Sequence, residues 1–113
     1  MPLITTEQAL AHLREDADAD VSLYVGAAIQ AAVDFLNRNV YADADEMAAA
    51  VDAGNAGEDP MVVNDAIKAA ILLTLGHLWS NREDVVSGPS AAAVELPMGA
   101  RSLLWPHRVG LGA

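Results

Sequence analysis

The residues of this chain from which chemistry is ordinarily built are three histidines, one run of aspartates and two tryptophans. His12, His77 and His107 fall on three separate predicted elements. None has a partner at the i,i+3 or i,i+4 spacing that would turn two ligands toward one metal ion. The run Asp16-Ala17-Asp18-Ala19-Asp20 has the alternation of a calcium loop. Such a loop needs glycine at its sixth place for the sharp turn and glutamate at its twelfth as a bidentate ligand. Val21 and Ala27 stand there, so the run reads as a solvated turn whose last aspartate caps the next helix. Cysteine is absent, which removes thiol nucleophiles, thiolate metal sites and disulfides. There is no glycine-rich phosphate loop and no G-x-S-x-G. His77, on the flank of an apolar helix, reads as a core or interface histidine, and Trp79 and Trp105 read as packing anchors. The expectation is a protein without catalytic set, cofactor or metal, and so not an enzyme.

The elements that hold these residues are helical. The longest pattern, Pro60 to Val86, predicts a helix over 64–84, capped by Asn64 or Asp65 and about 32 Å long. Ile67, Ile71, Thr74, Leu78 and Val85 form one stripe. Leu72, Leu75 and Trp79 widen it on one flank, and Ala66, Ala70, Leu73 and His77 on the other. Only Asp65, Ala69, Gly76, Ser80 and Glu83 leave a small or polar strip, so this helix must be covered on more than one side, in part by another subunit. A second helix is predicted over 21–39, with Val25, Ile29, Ala32, Val33, Leu36 and Val40 on one face and a weak Asp34–Arg38 pair on the other. A short first helix over 5–14 opens with the capping box Thr5-x-x-Gln8. Asp43 and Glu46 suit the start of a further short helix near 44–52, broken by Gly54, Asn55 and Gly57. Ser87-Gly88-Pro89-Ser90 makes a turn, Ala91–Glu95 is strand or linker, and a C-terminal helix over 99–105 ends at Pro106. The fold class expected is all-α: a small bundle of about four helices with a long central helix, a short C-terminal helix and a tail. The candidate core is Val25, Ile29, Val33 and Leu36 against Ile67, Ile71, Leu75 and Leu78.

The chain of 113 residues fits one domain, with 42–59 as a variable insert or mobile lobe. Sixteen acidic residues face six basic ones, a formal charge of −10 that repels nucleic acid phosphates. No apolar run approaches the length of a membrane span, and the start MPLITTEQAL lacks the basic and apolar regions of a secretory signal.

The second half carries a combination of motifs. The central helix ends in Trp79-Ser80-Asn81-Arg82-Glu83, a Gly/Pro break follows, and the chain closes with Leu96-Pro97-x-Gly99 and Leu103-Leu104-x-Pro106-x-Arg108. This order and spacing resembles the phage head–tail connector (adaptor) family, whose members join an aromatic-x-x-Arg-Glu helix end to an LPxGxxxLLxPxR-like close. The opening, LITTEQALAHLR followed by an aspartate-rich turn and a long amphipathic helix, fits as well. The likeness covers most of the chain except roughly 42–59. It departs from the family in carrying Trp79 where tyrosine is commoner and in a longer insert after Tyr41.

The resemblance implies a structural virion protein rather than a catalyst. Its copies, about a dozen, would form a ring that docks on the phage portal and receives the tail-completion or stopper protein. DNA would pass through the channel without specific binding, at the head–tail interface of the virion, with assembly in the host cytoplasm. Trp79, Arg82, Glu83, Trp105 and Arg108 are then the candidate subunit or portal interface. Arg82 and Glu83 read equally as a solvated helix end, and at least one of Leu103 and Leu104 seals the subunit's own core. The competing expectation is an acidic helical regulatory or binding module that occupies a basic groove as a monomer or dimer.

Overall fold

The computed structural model describes residues 3–15, 20–57, 59–80 and 96–109. Arg82, Glu83 and Val85, most of the aspartate run, the 87–90 turn and the 91–95 segment lie outside them. The described part is a small, mostly α fold. Its helices are α1 (Thr6–Leu13), α2 (Ser22–Leu36), α3 (Ala44–Asp52), α4 (Asp65–Ser80) and α5 (Met98–Leu104), the last continued by a 3-10 turn over Trp105–His107.

Each helix begins where its local chemistry allows. Thr5 accepts from the Gln8 amide at 3.0 Å while the Gln8 side chain accepts from the Thr5 amide at 2.8 Å, the reciprocal box that starts α1. Ile4, just before that cap, and Ala9 are both buried in the core. Asp43 accepts from the Glu46 amide at 2.7 Å to start α3, and Asn64 accepts from the Ile67 amide at 2.9 Å to start α4. Asp20 sits one residue outside the cap position of α2, which Val21 occupies. Its carboxylate accepts instead from the Ser22 hydroxyl at 2.7 Å and the Ser22 amide at 3.2 Å. Those bonds, the hydroxyl's first, hold its pKa below the usual aspartate value. At its other end α2 stops three residues before the predicted Asn39, because Asn37 takes the left-handed conformation at φ 56°. The Leu36 carbonyl freed there accepts from the Val109 amide at 2.9 Å, so the chain's own C-terminal stretch closes the helix.

The expected helical class holds as a mostly α fold, to which a short parallel pair is added, β1 (Val40–Tyr41) and β2 (Met61–Val62), in register Val40↔Met61 and Tyr41↔Val62. A parallel pair needs a crossover, and α3 supplies it. The segment around α3 is thereby returned to the body of the fold. Asn39 ties it further by donating to the Ala56 carbonyl at 2.8 Å, with Ala56 buried beneath. Gly57 crosses this point at φ 79°, and a β-carbon there would stand 3.0 Å from Asn39 Nδ2. Gly57→Ala is expected to destabilise the chain by about 1–2 kcal/mol through backbone strain and displacement of Asn39. Urea titration checks this, with Gly54→Ala, which meets nothing within 4 Å but shares the positive φ, as the comparison for strain alone.

α4 is the centre of the core. Ile67, Ala70, Ile71, Thr74, Leu75 and Leu78 are buried along it. The Thr74 hydroxyl donates to the Ala70 carbonyl at 2.8 Å, which removes the cost of burying it. α1, α2 and α5 pack on α4 from within the same chain. The expected need for cover from another subunit is therefore largely met internally. The exposed strip is Asp65, Ala69, Leu73, His77 and Ser80, so Leu73 and His77 face outward rather than widening the buried stripe. α2 and α4 run in opposite senses: β1 after α2 pairs with β2 before α4, and Tyr24 near the start of α2 meets Trp79 near the end of α4.

On α2 the buried line is Tyr24, Ala28, Ala32 and Leu36. Val25, Ile29 and Val33, expected at the centre of the core, are half-buried and pack on its margin. The buried line lies roughly 80° round the helix from them. Alanine at the line of closest approach lets two helices come together, and the branched side chains then wedge into the sides. Leu36, Ile67, Ile71, Leu75 and Leu78 are buried in one cluster with Leu3, Ile4, Ala100 and Leu104.

Candidate interaction surface

The histidines stay apart. His12 on α1 is exposed and faces Gly76 of α4, His77 is exposed on α4, and His107 is half-buried in the 3-10 turn. Among the described residues no group of three or more His, Asp or Glu is placed to hold a metal ion. No described helix is long and apolar enough to cross a membrane.

Side chains converge instead at the two ends of α2. At its start, Trp79 lies edge-on to Tyr24, ring centroids 5.2 Å apart and planes perpendicular. The indole N–H donates to Glu15 Oε1 at 3.1 Å. Trp79 thus fastens the end of α4 to the starts of α2 and of the turn after α1. Expected at a subunit interface, it is half-buried and engaged within the chain.

The other end carries the denser cluster. Arg38 turns away from Asp34, which accepts from Gln30 at 2.7 Å. Its Nε donates to the Asp59 carbonyl at 2.7 Å and its NH1 to the His107 carbonyl at 3.2 Å. Asn37 donates to the Val109 carbonyl at 3.3 Å. Asn64 Nδ2 and His107 Nε2 stand 3.4 Å apart. These bonds hold the C-terminal stretch against α2 and the start of α4.

Held there, α5 and its 3-10 extension place Trp105 beside Phe35 in the last turn of α2, with centroids 6.1 Å apart. The Arg108 guanidinium lies 5.0 Å from the Phe35 centroid and 5.6 Å from that of Trp105. Arg101 approaches the same Phe35 ring at 5.9 Å. Cations at this range are drawn to the negative ring face. Leu104, next to Trp105, is fully buried and anchors the segment, while Trp105 is 59% exposed and Arg101 and Arg108 are exposed. The result is a surface patch of two guanidinium groups around two aromatic rings.

With Arg38, this end holds three of the six basic residues of the chain. Such a patch can grip carboxylate or phosphate oxygens through paired N–H donors, with the rings covering the approach. Trp105 and Arg108 were legible as candidates. Phe35 and Arg101 were not singled out, although Arg101-x-x-x-Trp105-x-x-Arg108 has the i,i+4 and i,i+3 spacings that put three side chains on one helical face. No family model matches the chain, and no curated protein or solved structure matches it.

Proposed function

We propose that this chain is the subunit of a phage head–tail connector ring, a structural virion protein standing between the portal and the tail-completion or stopper protein. The observation that carries the reading is the ordered pair of motifs, the aromatic-x-x-Arg-Glu end of the central helix and the Leu-Pro-x-Gly…Leu-Leu-x-Pro-x-Arg close. Two features of the fold are compatible with it. The close forms a short helix whose Leu104 is buried and whose Trp105 and Arg108 face outward, the division of labour that a docking segment needs. The fold is mostly α, and within this reading α1, α2, α4 and α5 serve as the four-helix body of the subunit with α3 as an appended lobe. Arg82 and Glu83 keep their role as interface candidates under this proposal.

The test is direct. Purified chain, alone and mixed with the portal of the same phage, is examined by light scattering over a concentration series and by negative-stain imaging. Rings of about a dozen copies, or a collar bound to the portal, are expected. A monomer or dimer at every concentration that also ignores the portal would sink the reading and favour the acidic binding module.

Charge adds a second expectation. A ring of about a dozen copies would carry on the order of −120 formal charges before counterions. Affinity for duplex DNA depends on cations that displace counterions, and here acids outnumber bases 16 to six. Neither subunit nor ring is expected to bind duplex DNA measurably at moderate salt, as an electrophoretic shift assay would show. Tight, salt-sensitive binding by the ring would contradict a channel that lets DNA slide.

A further inference from the structure

We propose that the arginine–aromatic patch seats the outer face of α3 from a second copy of this chain. The inference rests on the connector reading, since it names the surfaces through which neighbouring subunits meet.

One side of the contact is the patch of Arg101, Trp105, Arg108 and Phe35. Among the described residues neither Arg101 nor Arg108 forms an ion pair; both are exposed and held over aromatic rings. Both guanidinium carbons lie near one ring centroid, at 5.9 and 5.0 Å, so they stand within about 11 Å of one another. The patch is thus two cations gathered on the Phe35 ring, with the exposed indole beside Arg108.

The other side is the complement of that arrangement. α3 has no buried residue. Asp45, Ala48, Ala49 and Asp52 are all exposed, and their i, i+3, i+4, i+7 spacing sets them on one face. The two carboxylates are about 10.5 Å apart along the helix axis, two turns of helix. Between them are two alanines, which project nothing beyond a methyl group and allow an indole to lie against the helix. The Asp–Ala–Ala–Asp face therefore complements the two arginines and their rings in charge, and its span falls inside their 11 Å limit.

The occupant follows from charge and from the existence of both halves on one chain. Two different faces that recognise each other make a heterologous contact, each copy giving its α3 to one neighbour and its patch to the next. Such a contact closes into a ring when the rotation permits and otherwise runs on as a filament.

The contact is tested by neutralising one half at a time. Chains carrying Arg101→Ala with Arg108→Ala, or Asp45→Asn with Asp52→Asn, are examined by sedimentation, with circular dichroism to establish that each is folded. Wild-type chain is expected to associate, more weakly as salt is raised. Each double variant should weaken association at least about tenfold. An equimolar mixture of the two variants should stop at the heterodimer, because only one intact pair of faces remains. Arg101→Lys with Arg108→Lys, which keeps the charges, should retain association if the alanine form proves unfolded.

Association of either neutralised variant at wild-type strength overturns the inference while leaving the connector reading in place. A mixture that stays monomeric where wild type assembles does the same. A wild-type chain that is monomeric at every concentration also overturns it, and the connector reading then turns on the portal mixture alone. DNA binding by wild type that is lost with Arg101 and Arg108 would assign the patch to phosphate and remove the α3 contact.

Discussion

Ile71→Asp is expected to abolish the native fold. Ile71 is fully buried at the middle of α4, in the cluster formed with Leu36, Ile67, Leu75 and Leu104. Removing its hydrocarbon alone would cost about 2–5 kcal/mol in lost burial and cavity. The carboxyl group puts polar oxygens among the aliphatic side chains of that cluster, and its charged form would be several kcal/mol worse before protonation relieves it. The sum reaches the whole stability of a domain this size, about 5–15 kcal/mol. Far-UV circular dichroism and a melting curve read the outcome. Val25→Asp provides the contrast: Val25 is only half-buried, so its carboxylate can turn to water and the loss should be much smaller. A variant at Ile71 with unchanged helical signal and melting temperature would show that α4 is not the centre of the core.

That contrast marks where reading from residues alone succeeds and where it does not. The start signals were legible because they are local. Thr5 with Gln8, Asp43 with the Glu46 amide and Asn64 with the Ile67 amide each close within three residues, and each forms. The buried stripe of α4 was legible in Ile67, Ile71, Leu75 and Leu78 because large aliphatic residues dominate it. On α2 the same rule pointed to Val25, Ile29 and Val33, whereas the contact line runs through Ala28 and Ala32. Hydrophobic strength ranks valine above alanine, but at closest approach it is size that selects.

The non-local features were hidden for a related reason. Arg38 has Asp34 at ideal helical spacing. The chain nevertheless stops α2 at Leu36, and the guanidinium then reaches the carbonyls of Asp59 and His107, 21 and 69 residues away. The β1–β2 pair, two residues a side, has no hydrophobic alternation long enough to be seen. Of the candidate surface, Trp105 and Arg108 could be named from their motif, and Arg101 from its spacing to them. Phe35 enters only because the tail folds back on the end of α2, which no local pattern announces.

The second large effect belongs to Trp79 and separates it from Trp105. Both read as packing anchors and, through the resemblance, as interface candidates, and the fold gives them different surroundings. Trp79 packs edge-on against Tyr24, which is itself only 9% exposed, and ties down Glu15 through its indole N–H. Three parts of the chain meet there: the turn after α1, the start of α2 and the end of α4. Trp79→Ala would uncover Tyr24 and release Glu15 at once, and should cost about 2–4 kcal/mol of stability. Trp79→Phe keeps an aromatic ring against Tyr24 and loses the hydrogen bond, so its cost should be nearer 1 kcal/mol. Trp105 is 59% exposed and touches Phe35 at the margin of the fold, and Trp105→Ala should cost less than about 1 kcal/mol. Under the connector proposal the order reverses in assembly: Trp105→Ala should weaken ring formation or portal docking while the monomer stays folded. Urea titration of the three variants beside a sedimentation or portal-binding series distinguishes the two roles. If Trp105→Ala unfolded the chain as readily as Trp79→Ala, its side chain would belong to the core, and a docking role for the exposed indole would have no support.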